Sequence, residues 1–566
     1  MATIRRYDKG SREEEAERTL RRTHFAPGAK VALISIFLAA VFSMPVVQTA
    51  VEMRHNIDLR GRQQEAGQTV TAPLLPRVCK VSSLLPSAAQ ISLVRDASDC
   101  WDLLADPEDI KRFENDLERD SILSKGLLPS VQQALTRLGG LGNEKALIGR
   151  DDWLFYKSDF DYVVKAGFLE PSALSARARA GGAIIQPDPR RAILHLRDQL
   201  RQRGVELVIV PAPTKMTIHP EKFSGNYDGC DQPLQNVSFA QFVADLTSQG
   251  VRVYDPAPLL VGRKPLGEQY LRTDTHWRPE AMEAVAQELA AFVAPEGLAS
   301  SEQAELETAN VKNHGDIAVM LKLDGRLYDK EHATIQRPQA LPESPSDILL
   351  LGDSFANIYD SPAMGWGGGA GLARQLQRFL GRPVDSIIQN DNGSYATVQA
   401  LAGALARGED RLSGKKLVIW EFAARELAEG NWKLIDLPTG PAIRETASGL
   451  LVLKPGQQLR ASGVIKEISE APSPSAPYSD HVMAFHVIGI VPSSGQRAAG
   501  NEALVYMLAM HERRLLPPAN LKAGDKVQLD LRAWPDVQGL YGSMKRSDLD
   551  SDIAQELPIW GQLEAK

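Results

Sequence analysis

"DILLLGDSFAN" occupies Asp347 to Asn357. The continuous apolar run Ile348 to Leu351 reads as a strand buried on both faces, as in a parallel sheet. It breaks at Gly352, and Ser354 follows at the strand-to-turn junction. Such turns lie at the C-terminal edge of a parallel sheet, where α/β active sites form. Glycine permits a sharp backbone there, and the helix start that follows offers N–H groups to a developing oxyanion.

The same alternation extends in both directions. "RRAILHLRDQLRQRG" has apolar residues at helical spacing and a glycine stop, and "VELVIVP" from Val205 is a second buried strand. "QFVADLTSQG" then "VRVYD" repeats the unit, and "PEAMEAVAQELAAFV" (Pro279 to Val293) is a helix with proline in its first turn. "GLARQLQRFLG", "VDSIIQN", "YATVQALAGALARG" and "KLVIWEF" carry the pattern on to Phe422. Repeated βα units predict an α/β domain, a parallel sheet covered by helices on both faces. After about Pro438 the character changes to strand-like runs between Pro/Gly/Ser turns, which predicts a small all-β barrel or sandwich. "LKAGDKVQLDL" favours a barrel of OB type, and "SDLDSDIAQEL" reads as a late helix.

Serine at its free pKa is a poor nucleophile and needs a base, itself oriented by an acid. "YLRTDTHWRPE", Tyr270 to Glu280, holds both in Asp274 and His276 just before a helix. Each motif alone is weak: G-D-S recurs as a bare turn, and Asp274 is also a candidate helix cap or metal ligand. A hydrolytic metal site needs further ligands at sensible spacing, and none lies nearby in the sequence. Together, each at a strand-to-helix transition, the motifs favour a Ser354–His276–Asp274 triad.

Other positions are open to two readings. Lys215, in "PAPTK" after a strand, is a candidate for sugar hydroxyls or carboxylates, or a solvated loop lysine. Trp277 suits stacking on a sugar ring or the core, and Tyr359 the pocket lining or packing. Asn390 and Asn392, in "IIQNDNGSY", are candidate oxyanion or substrate amides, or ordinary loop residues. His481, His486 and His511 have no metal spacing.

The matching stretches "GRDDWLFYKSDFD", "VIVPAPTKMTIHPEKF", "LRTDTHWRPEAM", "LLLGDSFAN" and "VIWEFAARELAEGNW" run in consistent order from roughly Leu141 to Leu437. Over that span the chain resembles the alginate O-acetylation proteins of AlgJ/AlgX type, with their SGNH-hydrolase-like domain. The resemblance implies that Asp274, His276 and Ser354 are the triad. His before Ser departs from ordinary SGNH esterases and matches the permuted order of the acetyltransferases. It implies O-acetylation of a secreted polysaccharide through an acetyl-serine, with no bound cofactor. It further implies a membrane-bound acyltransferase as acetyl donor and a polysaccharide export or synthesis complex as setting. The alternatives are an SGNH-like esterase that removes acetyl groups, and a non-catalytic glycan-binding or assembly protein.

The whole chain of 566 residues is long enough for about two to four domains. Apolar content of 43% and charged content of 24% are those of a globular protein. A formal net charge of -7 argues against a general nucleic-acid binder. "VALISIFLAAVFSMPVVQTAV", Val31 to Val51, has no charged residue and as a helix spans ~30 Å, one bilayer core. An arginine-rich tail precedes it. The positive-inside rule then predicts a cytoplasmic tail (1–30), an inner-membrane anchor (31–51) and a periplasmic body. The alternative is a cleaved signal peptide, against which stand the long n-region and the lack of a clean A-x-A site. The expected body comprises a linker with helical segments (52–140), the SGNH-like domain (141–437) and the β-rich domain (438–566). Of three cysteines, Cys79 and Cys100 could pair in an oxidising compartment, leaving Cys230 odd, or all three are ordinary thiols.

Overall fold

The computed structural model describes residues 46–64 and 122–564. The stretches 180–184, 295–304, 342–344, 439–448, 473–477 and 494–499 are excepted, with the single positions 324, 326, 340, 391, 407, 470, 479, 513, 543 and 550. Two compact units divide the chain, residues 1–131 and 132–566. In the first, the described residues are helical: 46–64 and the start of the helix Ile122–Gly139. Among the described residues no helix is long and apolar enough to cross a membrane. Most of the expected anchor Val31–Val51 lies outside them, as do Cys79 and Cys100. Cys230 is a free thiol.

Everything that positions the site lies in the second unit. It opens with a short hairpin, β1 (Ala146–Ile148) and β2 (Leu154–Tyr156). β3 (Glu206–Ala212), β4 (Arg252–Val253), β7 (Ile348–Gly352), β8 (Asp385–Ile388) and β9 (Leu417–Ala423) form a five-stranded parallel sheet in the order β4-β3-β9-β7-β8. β7 and β9 are buried along their whole length, which explains why their sequences are apolar apart from Glu421 in β9. The helices fall close to the expected places, at Pro189–Gln202, Pro279–Val293, Leu372–Leu380 and Ala396–Ala406. Asp188 caps the first of these by accepting from the Arg190 amide.

One element has no counterpart in the sequence reading. β5 (Leu306–Asn313) and β6 (Glu331–Pro338) form an antiparallel hairpin in full register between the Pro279 helix and β7. β5 has no fully buried residue, and only Ala309 and Val311 of its mixed sequence pack against the sheet core. No alternation marks it in the sequence.

The C-terminal part is a closed barrel. β10 (Gln458–Ile468), β11 (His481–Pro492), β12 (Glu502–His511), β14 (Lys526–Ala533) and β16 (Pro558–Leu563) pair in the cycle β10-β11-β12-β16-β14-β10. All pairings are antiparallel except β12 with β16. This is the Greek-key order of an OB-type barrel. Closure removes the free edges that a flat sheet would expose. β13 (Arg514–Leu515) folds back antiparallel onto the end of β12, and β15 (Lys545–Ser547) lies parallel to the start of β11. The late helix expected at "SDLDSDIAQEL" is only a single turn, Asp552–Gln555. "PIWGQL" after it is the strand that completes the barrel.

The hydrophobic cores of sheet and barrel are separate. The sheet core ends in sequence at Leu437, and the main barrel core runs from Leu451 to Ile559.

Candidate active site

β7 ends in a tight turn because its last residue leaves no room for a side chain. A Cβ on Gly352 would stand 2.6 Å from the Ala356 Cβ and 3.0 Å from Ile388 Cδ1. Close approach, rather than an unusual φ, is what requires glycine here. Asp353 caps the short helix Ser354–Asn357 by accepting from the Phe355 amide at 2.8 Å, and its other oxygen accepts from the Ala423 amide at 2.7 Å. The turn is thereby clamped to the end of β9. Glu421 Oε2 in turn accepts from the Asp353 amide at 3.0 Å. Burial, then the neighbouring Asp353 charge, raise the Glu421 carboxyl well above the usual carboxylate range.

The Asp–His segment is a reversal held from three sides. Tyr270 bridges to Trp277, and the Leu271 amide donates to the His276 carbonyl at 3.1 Å. Glu331 of β6 accepts from the Arg272 and Thr273 amides at 2.9 and 3.3 Å. Lys215 Nζ donates to the Leu154 and Arg272 carbonyls at 2.7 and 3.1 Å, tying β2 to the reversal.

These supports bring the two motifs together. His276 Nε2 lies 2.9 Å from Ser354 Oγ, and His276 Nδ1 lies 2.7 Å from Asp274 Oδ1. Asp274 Oδ2 accepts from Trp366 Nε1 at 2.8 Å and from the Asp316 amide at 3.1 Å. The His276 ring packs 4.8 Å from that of Phe355. All three residues are buried, Ser354 at 5% exposure. Burial opposes the imidazolium, but the hydrogen bond and charge of Asp274, with help from Asp316, outweigh it and raise the His276 pKa. The same pairing lowers Asp274 despite its burial.

Asp274, His276 and Asp316 bring possible metal-ligating atoms within 4.8 Å of one another. Those atoms are already engaged: Asp274 by His276, Trp366 and Asp316, and Asp316 by the Thr275 amide and hydroxyl at 2.7 and 2.8 Å. The geometry is that of a Ser–His–Asp relay.

Three residues weighed as substrate contacts lie in the core instead. Lys215, Trp277 and Tyr359 are each fully buried. Trp277 Nε1 donates to the Phe355 carbonyl at 3.1 Å and Tyr359 Oη to the Trp277 carbonyl at 2.7 Å. These bonds join the two catalytic-candidate segments to each other. Lys215 has its ammonium solvated by backbone carbonyls, and burial lowers its pKa to about 8. None of the three has a face left for a sugar.

Asn390 and Asn392 do reach the open space. With Ser354, His276 and Asp274 they line a cavity of about 1050 Å³. Asn390 Oδ1 accepts from Asn357 Nδ2 at 2.7 Å, and Asn392 adopts a positive φ of 55°.

A family model described as an SGNH hydrolase-like domain, acetyltransferase AlgX, matches residues 146–424. The probable alginate O-acetylase AlgJ of Pseudomonas putida is 30% identical over 306 residues, which cover 51% of this chain and 72% of that one. The chain belongs to the AlgJ/AlgX family of SGNH-like acetyltransferases. The probable alginate O-acetylase AlgJ of Pseudomonas syringae pv. tomato is 26% identical over 303 residues, 51% of this chain and 71% of that one. The solved O-acetyltransferase domain of Pseudomonas putida AlgJ is 22% identical, covering 50% of this chain and 93% of that one with a TM-score of 0.37. As a member of the family the protein is an O-acetyltransferase.

Within this AlgJ/AlgX-type chain, sequence reasoning missed four side chains near the relay. Trp366 and Asp316 touch Asp274 or its neighbours, and Glu331 holds the reversal. Nothing local in "SPAMGWGGG" marks Trp366. Arg425 lines the cavity, with its guanidinium 5.9 Å from the Phe355 ring and 3.2 Å from the fully buried Asp159. Its signal was its place, just past β9 at the C-terminal sheet edge.

Proposed function

We propose that this protein acetylates hydroxyls of a secreted polysaccharide through an acetyl-Ser354 intermediate. The hydrogen-bonded relay from Asp274 through His276 to Ser354, opening on the cavity, carries the reading. Ser354 Oγ attacks the carbonyl carbon of an acetyl donor while its proton passes to His276 Nε2. The donor's leaving group departs with that proton, and the acetyl ester remains on Ser354. A sugar hydroxyl then attacks the ester carbonyl, gives its proton to Nε2, and leaves O-acetylated as Ser354 is restored. Asp274 fixes the imidazole tautomer and stabilises its charged form. Asn390, whose Oδ1 is taken by Asn357, offers Nδ2 to the oxyanion, together with amides at the start of the Ser354 helix.

The relatives' names tie them to alginate O-acetylation. For this chain the reading carries a membrane-bound acyltransferase as donor, an exopolysaccharide export or synthesis complex as setting, and a periplasmic catalytic domain behind an N-terminal anchor. The test is acetyl release from an activated ester with and without acceptor glycan. Ser354→Ala should remove both release and transfer, by roughly three orders of magnitude or more, while circular dichroism is unchanged. Undiminished turnover in pure Ser354→Ala protein defeats the serine mechanism.

A further inference from the structure

The cavity over Ser354 has a second wall that comes from the barrel. Tyr478 and Asp480 before β11, His481 at its start, Glu512 after β12, and Lys545 and Arg546 on β15 all line the same space as the Ser–His–Asp relay. Apart from His481, which opens the second strand, these positions belong to the connections after the first, third and fourth barrel strands. In OB-type barrels the connections after the first and fourth strands form a ligand-binding face for extended polymers. Here that face is turned onto the nucleophile.

The wall is organised. Tyr478 stacks on His481 with ring centroids 5.2 Å apart and planes 24° from parallel. Lys545 Nζ lies 6.0 Å from the Tyr478 ring, and the β11–β15 register pairs Lys545 with His481. His481 Nε2 is 3.0 Å from Ser547 Oγ. An aromatic ring flanked by a cation and an imidazole suits the alternating apolar faces and hydroxyls of a sugar chain.

The charge of the cavity narrows the ligand class. Its carboxylates, Asp274, Asp316, Glu426, Glu429, Asp480 and Glu512, outnumber its cations, Lys145, Arg425, Lys545 and Arg546, although burial raises Glu426 to about 7 and Asp316 to about 6 and Asp480 faces His511, which thins the excess of negative charge. Both arginines have carboxylates of their own, Arg425 with Asp159 at 3.2 Å and Arg546 with Asp548 at 2.7 Å. A uronate polymer, with a carboxylate on each sugar, would place like charges against this lining and find no arginine unengaged. An uncharged chain meets no such repulsion.

We propose that the barrel supplies the second wall of the acceptor site, centred on Tyr478 and Lys545, and that the acceptor is an uncharged glycan rather than a polyuronate. This rests on the acetyl-transfer reading of the cavity. The experiment is calorimetric titration of full-length Ser354→Ala protein with neutral hexasaccharides (a β-glucan, an α-glucan and a mannan) and with hexamannuronate. At least one neutral glycan should bind about tenfold or more tighter than the uronate. Tyr478→Ala and Lys545→Met, each added to that background, should weaken the neutral ligand by about tenfold. Tighter or equal binding of the uronate overturns the ligand class. Unchanged affinity in both variants overturns the barrel wall. Acetyl release from a small activated ester by unmutated protein is measured alongside. Failure of release counts against the Ser354 chemistry alone, because the titrations involve no turnover.

Discussion

Trp366 Nε1 donates to Asp274 Oδ2 at 2.8 Å, so an indole more than ninety positions of sequence away orients the acid of the relay. A hydrogen bond to a charged group contributes about 1.5–3 kcal/mol. Trp366→Phe keeps the ring volume near enough to fill the site and removes the donor. Acetyl release should fall about tenfold to a hundredfold in kcat, with KM for a small ester little changed. A rise in KM at constant kcat would mean that Trp366 contacts the ester and not the acid.

The pH profile should report His276. In the proposed serine mechanism its imidazole must be neutral to accept the Ser354 proton, and its pKa stands above the ordinary 6.5. Activity is therefore full well above that value and is lost as pH falls through it. Asp316 contributes to the upward shift, and burial next to Asp274 raises Asp316 itself to about 6. Asp316→Asn removes that negative charge while keeping an oxygen for the Thr275 amide. The acidic limb of kcat/KM should move to lower pH. A limb that stays in place, or moves up, would show that Asp316 does not set the His276 charge.

Lys215 offers a sharp contrast between a binding and a supporting role. Its ammonium bridges the Leu154 and Arg272 carbonyls with no exposed surface. Lys215→Met retains the aliphatic stem but orphans the Leu154 carbonyl, while the Arg272 carbonyl keeps the Leu154 amide at 2.9 Å, at a cost of about 1–3 kcal/mol in folding stability. The urea midpoint should fall, and kcat should fall with it as the Asp274–His276 reversal loosens. Acceptor KM should hardly move. A raised acceptor KM with an unshifted urea midpoint would restore the lysine to the sugar site.

How much of this was readable follows from where each constraint lies. Gly352 and Ser354 stand at the end of an apolar run whose burial on both faces leaves a plain signature. Asp274 and His276 sit two apart before a proline-led helix, again a local pattern. What holds them does not: Glu331 and Asp316 come from the hairpin region, where β5 turns only Ala309 and Val311 toward the core, too short an alternation to mark a strand. Lys215 and Tyr359 stayed open to two readings because each carries a polar group that could face a pocket, yet both have backbone carbonyls as partners. Sequence shows no such partner. β16 was obscured because "LPIWGQL" is short and follows an acidic stretch, and only its pairing with β12 and β14 makes it a strand.

Removal of the barrel tests the division between chemistry and acceptor recognition. Ser354, His276, Asp274 and every group hydrogen-bonded to them lie before Pro438. The core around the parallel sheet ends at Leu437 and shares no residue with the main barrel core that begins at Leu451. A chain ended at Pro438 should therefore fold and release acetyl from a small activated ester, since domains with separate cores stand alone. It also loses one wall of the cavity, including Tyr478, His481 and Lys545. Transfer to a glycan should drop by about tenfold or more while hydrolysis of the acetyl-enzyme rises, because water gains access to the ester. Loss of small-ester activity with native circular dichroism would show instead that the barrel helps to build the catalytic geometry around Ser354.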